Sequence, residues 1–131
     1  MSNKKNKKVA LGGAGQKRVA AKSMTPRQIT EIARFFHAFS EPSRLVLLKT
    51  LMDGEKTVTS LAEETGINQP NVSKQLAILA TARLVERKRD GNCICYYICE
   101  PLVHEICRAV CGKLQRDAKE WGIDNDEASM F

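Results

Sequence analysis

The chain has 131 residues, of which 43% are hydrophobic, enough to bury the core of one small domain. No apolar run approaches the ~18 residues that a membrane-spanning helix needs, and no signal-peptide core follows the basic start, so we expect a cytoplasmic protein with no membrane partner. Residues 1–22 carry seven Lys and Arg and no acid, so subtracting them from the formal net charge of +6 leaves −1 for residues 23–131.

Composition therefore predicts a disordered basic tail over residues 1–22, in which Gly12-Gly-Ala-Gly15 is typical of a linker because no phosphate-loop pattern follows it. Such a tail can attract DNA phosphates irrespective of base sequence, or simply keep the protein in solution, and composition leaves both open. In a cytoplasmic chain, five cysteines favour reduced thiols, metal ligands or redox sensors over structural disulfides.

Two helices are predicted after the tail. Thr25 and Pro26 are typical of a helix start, and the apolar side chains that follow predict its buried face: Ile29, Ile32, Ala33, Phe36 and Phe39. Pro42 begins the second helix, which Asp53-Gly54 ends, and its apolar residues are Leu45, Leu48, Leu51 and Met52. His37 lies beside the apolar face of the first helix, where a packed or surface histidine is a better interpretation than a ligand.

The next stretch has the pattern of a helix-turn-helix. Residues 59–65 allow two helical turns, Gly66 is a typical helix end, and Asn68 is a typical start for the next helix. Val72, Leu76 and Leu79 then recur at helical spacing and predict an inward stripe. The opposite face carries polar side chains that suit the reading of base edges in a major groove: Gln69, Asn71, Ser73, Lys74 and Gln75.

A β-hairpin is predicted directly after this helix. Apolar and other residues alternate from Cys93 to Ile98, which is strand periodicity, and Asp90-Gly91 is a hairpin turn signal. The hairpin predicts a wing whose basic tip lies near phosphates or the minor groove through Arg87, Lys88, Arg89 and Asn92. The short segment 56–58 could pair as a third strand at the base of the wing.

These motifs resemble those of the ArsR/SmtB winged-helix repressors. The resemblance rests on Phe39-Ser-Glu-Pro-Ser-Arg-Leu45, on Gln69-Pro-Asn-Val-Ser-Lys-Gln-Leu76 and on Gly91-Asn-Cys-Ile-Cys-Tyr96, and it covers roughly residues 25 to 116. It implies a homodimeric repressor that leaves operator DNA when an inducer, often a metal or metalloid ion, binds. We therefore expect an α+β, mainly helical fold with about five helices, a winged helix-turn-helix with a β-hairpin wing over residues 23–119.

A last helix is predicted from Leu102 to about Lys119, after the start signal Glu100-Pro101. A terminal helix with an apolar stripe commonly buries it against a partner subunit, and the resemblance also implies dimerisation through the first and last helices. The predicted dimerisation residues are Val103, Ile106, Val110 and Leu114. Residues 120–131 lose all periodicity and predict an acidic C-terminal tail, in which Trp121 and Phe131 either dock or stay exposed.

The cysteines indicate a sensing site, for which two clusters qualify. Cys107 and Cys111, with His104, share one narrow stripe of the last helix with Glu100, whereas Cys93, Cys95 and Cys99 belong to the wing strand. Thiolate and imidazole suit soft or borderline ions such as trivalent arsenic, cadmium, zinc or copper(I). Cysteine also packs as a small hydrophobe, so burial in a dimer core remains an alternative. We favour the pair on the last helix, because two thiols one helical turn apart are near neighbours.

The sites known in the family do not transfer to this chain. Its paired thiols before the recognition helix would fall at Thr57 and Thr59, and those of its sulfide-sensing branch at Lys49 and near Gln115. Its zinc site on the last helix would fall at Glu100, Leu102, Lys113 and Arg116. An inducer, if one binds, would therefore use a cysteine arrangement particular to this chain.

The sequence thus predicts a DNA-binding repressor that needs no cofactor to bind DNA and acts on an imperfect inverted repeat in double-stranded DNA. A constitutive or architectural DNA-binding protein is the first alternative, and a thiol redox-switched repressor is the second. An enzyme is disfavoured, because neither a nucleophile–base pattern nor a carboxylate pair in a plausible cleft is apparent.

Overall fold

A computed structural model describes residues 23–122 of the chain. The predicted tail over residues 1–22 and the part of the predicted acidic tail after residue 122 lie outside the described residues. Of the described residues, 23–33 belong to one unit and 34–122 to another. Within residues 23–122, five helices and three strands follow one another as α1 (Pro26–His37), α2 (Pro42–Leu51), β1 (Lys56–Thr57), α3 (Val58–Thr65), α4 (Gln69–Thr81), β2 (Val85–Asp90), β3 (Cys93–Ile98) and α5 (Pro101–Trp121).

This order of helices and strands confirms the predicted α+β winged helix-turn-helix fold.

Side-chain capping explains where the first two helices begin. In α1 the Thr25 hydroxyl accepts from the Gln28 amide at 3.1 Å, while the Gln28 side chain accepts from the Thr25 amide at 2.8 Å. In α2 the Glu41 carboxylate accepts from the backbone N–H of Arg44, and Pro42 occupies the first turn.

The core lies where α2, α3 and α4 pack against the sheet and the start of α5. Its fully buried side chains are Leu47, Leu48, Leu61, Val72, Leu76, Leu79, Leu84, Val85 and Val103. The predicted inward stripe of α4 is confirmed, because Val72, Leu76 and Leu79 are all among them. This packing fixes the rotation of α4 and hence which of its faces meets solvent.

The sheet has the strand order β1-β3-β2 and is antiparallel throughout. Strands β2 and β3 form the predicted hairpin, with Val85 opposite Ile98 and Asp90 opposite Cys93, and Gly91 takes a positive φ of 65° at the turn. On the other edge of β3, Lys56 pairs with Tyr96. The third strand expected from residues 56–58 is therefore present, although it is two residues long and Val58 already belongs to α3.

Two expectations about apolar faces are wrong for the single chain. The apolar face of the first helix was expected to be buried, and Phe39 is buried as expected, but Ile29, Ile32 and Phe36 are each at least 43% exposed. In α5, Val103 was expected at a subunit interface, but it is fully buried in the chain's own core. The reason is that Val103 belongs to the core cluster of the chain itself, while Leu102 beside it and Val110 further along α5 remain 42% and 46% exposed.

The last helix also ends later than predicted. It runs to Trp121, two residues past the expected end, and Gly122 ends it in the left-handed conformation with φ 72°. The amide of Gly122 donates to the carbonyl of Ala118, which is itself buried. Glycine in the position after the last turn is the usual signal for a helix end, and it marks the boundary here.

Candidate nucleic-acid interface

The turn between α3 and α4 sets the direction of the recognition helix. Gly66 ends α3 with φ 78°, and its amide donates to the carbonyl of Ala62 at 2.9 Å. Two residues later, the Asn68 side chain accepts from the backbone N–H of Asn71 at 2.9 Å and caps α4. The predicted helix end at Gly66 and the predicted start at Asn68 are both confirmed.

The solvent-facing side of the first two turns of α4 is polar. Gln69, Ser73 and Lys74 are exposed and Asn71 is half-buried, so four of the five predicted base-reading residues reach the surface. The Gln69 amide nitrogen lies 3.5 Å from the Thr59 hydroxyl of α3, to which it donates. The helix thus presents amides, a hydroxyl and one cation at its N-terminal end, where a helix docked in a major groove makes its contacts.

Gln75 departs from the prediction. It was expected on the exposed face, but it is only 7% exposed, and its side-chain oxygen accepts from the Arg44 guanidinium at 2.8 Å. Its side-chain nitrogen donates to the Asn71 side-chain oxygen at 3.1 Å. Arg44 comes from α2 and is itself buried, so the two polar groups satisfy one another. Sequence periodicity could not reveal this pair, because the partners lie 31 residues apart.

The four predicted wing residues, Arg87, Lys88, Arg89 and Asn92, are all exposed. The register places Arg87 opposite Tyr96 and Lys88 opposite Cys95, so neighbouring cations of β2 lie on opposite faces of the sheet. The Lys88 ammonium lies 2.8 Å from the Glu55 carboxylate, which raises the pKa of Lys88. Both side chains are largely solvated, so the pair holds Lys88 only weakly.

The outer face of the wing also carries a contact that the sequence did not suggest. The Tyr97 hydroxyl donates to the Glu86 carboxylate at 2.6 Å across the β2–β3 pair, and this hydrogen bond raises the pKa of Tyr97. Strand alternation together with the hairpin register would have placed Tyr97 and Glu86 opposite each other on one face of the sheet.

The three wing cysteines differ in their surroundings. Cys93 is exposed and Cys95 is half-buried, and strand alternation puts both on the face of Tyr97. Cys99 follows the strand, where its thiol donates to the carbonyl of Arg83 at 3.4 Å, and burial raises its pKa. Cys99 therefore contacts the turn between α4 and β2, and not the other two thiols.

On α5, Cys107 and Cys111 are half-buried free thiols one turn apart, and His104 is half-buried as well. Cys107 packs against the core, so burial raises the pKa of its thiol, although the nearby Lys49 cation acts in the opposite direction. Glu100 does not join them, because its carboxylate caps α5 by accepting from the Leu102 amide at 2.8 Å. Between residues 23 and 122, no three His, Cys, Asp or Glu side chains form a group that could hold a metal ion.

None of the helices between residues 23 and 122 is long and apolar enough to cross a membrane.

The model of the family described as "Bacterial regulatory protein, arsR family" matches residues 41–87, which run from α2 into the wing. Among curated proteins, a "Probable mercury resistance operon repressor" of Streptomyces lividans is 39% identical over 56% of this chain, which spans only 59% of that protein. A "Transcriptional repressor SmtB homolog" of Synechocystis is 34% identical over 76% of this chain and 75% of its own length.

Solved structures agree with these relatives. A homodimeric winged helix-turn-helix DNA-binding domain from Mycobacterium bovis is 29% identical, with a TM-score of 0.62, and the match covers 82% of this chain and 93% of that one. An antimony-specific transcriptional repressor is 30% identical, with a TM-score of 0.66, over 72% of this chain and 86% of that one. With the exposed polar face of α4 and the basic wing, these likenesses show that the chain belongs to the ArsR/SmtB family of winged-helix transcriptional repressors, which are DNA-binding regulators and not enzymes.

Proposed function

We propose that the chain acts as a homodimer that represses transcription by binding an imperfect inverted repeat in double-stranded DNA. The observation that carries the proposal is the exposed polar face of α4, formed by Gln69, Asn71, Ser73 and Lys74 above a fully buried apolar stripe. That face reads bases in the major groove, while Arg87, Lys88, Arg89 and Asn92 of the wing contact phosphates or the adjacent minor groove. DNA binding needs no cofactor, and the protein works in the cytoplasm without a membrane partner.

The proposed roles, base reading by α4 and phosphate contact by the wing, can be tested by measuring the affinity of protein variants for a set of operator sequences. Asn71→Ala should relax the preference at one base pair, at a cost of about 1–3 kcal/mol on the preferred sequence, because the base edge loses its hydrogen-bond partner. Arg89→Ala should instead weaken binding to all sequences alike and lower the slope of log affinity against log salt by about 1. Lys119→Ala, which removes an exposed cation from the far end of α5, is the control. Equal affinities for all three variants would overturn the proposed DNA surface.

The proposed dimer uses the apolar side chains that a single chain leaves exposed. Phe36 at the end of α1 and Leu102 and Val110 on α5 are each at least 42% exposed. Ile106 and Leu114 add half-buried apolar surface on the same helix. Because the Mycobacterium bovis neighbour is homodimeric, a twofold partner is the occupant that best fits this surface. The two copies of α4 would then lie about 34–36 Å apart, one helical turn of DNA.

The proposed inducer is a thiophilic metal or metalloid ion that acts through Cys107 and Cys111, with His104 as a further ligand. The two thiols lie one turn apart on α5, and the metal-responsive names of two relatives, for mercury resistance and for antimony, support this class of ligand. Since three ligands do not converge between residues 23 and 122 of one chain, the ion would recruit the same pair from the partner. An ion held between two α5 helices would favour a dimer with a different spacing of the α4 helices.

The sensing proposal is tested by DNA release from wild-type protein, from Cys107→Ser with Cys111→Ser, and from a triple Ser variant at Cys93, Cys95 and Cys99. Each protein is titrated with arsenite, cadmium, zinc and copper(I), and separately with peroxide. We expect the double variant alone to stay bound in the presence of an ion that releases the wild type. Loss of response only in the triple variant would move the site to the wing, and release only by peroxide would favour a redox switch. A wild type that never responds would establish the constitutive alternative.

A further inference from the structure

Arg44 is a buried cation with an unusual set of partners. It is 6% exposed, and all three of its guanidinium hydrogen bonds go to neutral oxygens. Nε donates to the carbonyl of Ala38 at 2.8 Å, Nη2 to the carbonyl of His37 at 3.2 Å, and Nη1 to Gln75 Oε1 at 2.8 Å. The first two bonds anchor the guanidinium to the turn before α2. The third reaches across to the recognition helix.

This arrangement dictates the orientation of two amides in succession. A guanidinium can only donate, so the Gln75 atom that faces Arg44 must be its oxygen. The amide nitrogen of Gln75 must then point the other way, and it lies 3.1 Å from the Asn71 side chain. Because that nitrogen can only donate, the Asn71 atom that faces it must be Oδ1. The Asn71 NH₂ group therefore points away from Gln75.

We propose that the Arg44–Gln75–Asn71 relay fixes Asn71 as a hydrogen-bond donor, so that this residue reads a base with an acceptor on its major-groove edge. Candidate acceptors are the O6 and N7 atoms of guanine, N7 of adenine and O4 of thymine. The inference rests on the proposed function and narrows it, since it names the polarity of one contact within the recognition surface. An asparagine free to rotate could serve equally as donor or acceptor, and the relay removes that choice.

Arg44 and Gln75 act here as positioning residues and not as contacts to DNA. Both are nearly inaccessible, whereas Asn71 is half-buried, with part of its side chain at the surface. Fixing the amide before DNA arrives spares the entropy of ordering it in the complex. The relay also crosses from α2 to α4, so it holds the recognition helix to the scaffold by a polar contact in addition to the apolar stripe.

The variant Gln75→Glu tests the relay because it preserves the hydrogen bond from Arg44 to residue 75 and reverses donor and acceptor in the hydrogen bond between residue 75 and Asn71. One oxygen of the introduced carboxylate accepts from Arg44, as the glutamine oxygen did, and gives the buried cation a counter-charge. The other oxygen can only accept, so the Asn71 amide must turn its NH₂ inward and its oxygen outward. Selection from a random duplex library should then show a redistribution of about three- to tenfold at one base pair, toward bases with an outward amino group.

Ala77→Glu is the matched control, because it adds the same charge to the exposed side of the same helix and leaves the relay intact. It should lower affinity for all sequences without changing which bases are enriched. In DNA-free protein, the side-chain NH₂ protons of Asn71 should exchange rapidly with water in the wild type and slowly in Gln75→Glu. An unchanged exchange rate at Asn71 would overturn the relay without reference to DNA.

Asn71→Asp serves if Gln75→Glu does not fold, since a half-buried site tolerates the change. It keeps an oxygen for Gln75 and replaces the outward NH₂ by an acceptor, so enrichment at that base pair alone should be lost. If wild-type protein enriches no sequence, the proposed function itself is overturned. If it enriches one and a folded Gln75→Glu leaves the pattern unchanged at every base pair, only the relay is overturned. Where Gln75→Glu does not fold, an unchanged pattern with Asn71→Asp overturns the relay in the same way.

Discussion

Cys107 and Cys93 are both free thiols, but they lie in different surroundings. Cys107 is half-buried against the core and Cys93 is exposed at the tip of the wing. Burial disfavours the thiolate, which raises the pKa of Cys107, and only the thiolate reacts with alkylating agents or binds a metal ion.

We therefore expect iodoacetamide to modify Cys107 more slowly than Cys93 at pH 7.5, and the rate at Cys107 to keep rising as the pH approaches its elevated pKa. Mass spectrometry of peptides from timed reactions measures both rates in one sample. The same proton competition means that ion capture at Cys107 should strengthen as the pH increases. Equal rates for the two cysteines at pH 7.5 would contradict this account of the Cys107 site.

At the scale of elements, the helix-turn-helix depends on the backbone of Gly66. Its φ of 78° lies in the left-handed region, and a Cβ added there would meet no atom within 4 Å. The penalty of a side chain at this position therefore comes from the close approach of Cβ to the adjacent backbone, and not from contact with the rest of the fold. Asparagine enters this region more readily than other residues that carry a Cβ.

We expect Gly66→Ala to lower the free energy of unfolding by about 1 kcal/mol, and Gly66→Asn to cost distinctly less. Urea denaturation at a fixed protein concentration measures both, since the stability of a dimer depends on concentration. An alanine variant as stable as the wild type would mean that the turn adopts another conformation.

The elements also show which features the sequence could reveal. Helical spacing of Val72, Leu76 and Leu79 sufficed to orient α4, because apolar periodicity reports directly on burial. The same reasoning misplaced Gln75, since its polar side chain is buried only by virtue of Arg44 in another helix. It also misplaced Val103, because an apolar stripe does not reveal whether it meets the chain's own core or a partner. Tertiary polar contacts and subunit contacts are non-local, and local pattern cannot assign them.

For the whole molecule, the proposed interface predicts the effect of a single charge. Val110→Glu would place an unpaired carboxylate within an apolar subunit contact, so it should give monomers that lose specific DNA binding. Ala109→Glu is the control, because it adds the same charge to an exposed position of α5 that lies about 160° around the helix from both Cys107 and Cys111. Sedimentation equilibrium gives the mass of each variant. A Val110→Glu protein that remains dimeric would refute the interface.

The most direct test of the account as a whole is the base pattern that purified wild-type protein enriches from a random duplex library. A twofold dimer with two α4 helices one turn of DNA apart should select an imperfect inverted repeat whose half-site centres are about 10 base pairs apart. Enrichment of a single asymmetric site, or of no sequence at all, would contradict the claim that this chain recognises DNA as a dimer through α4.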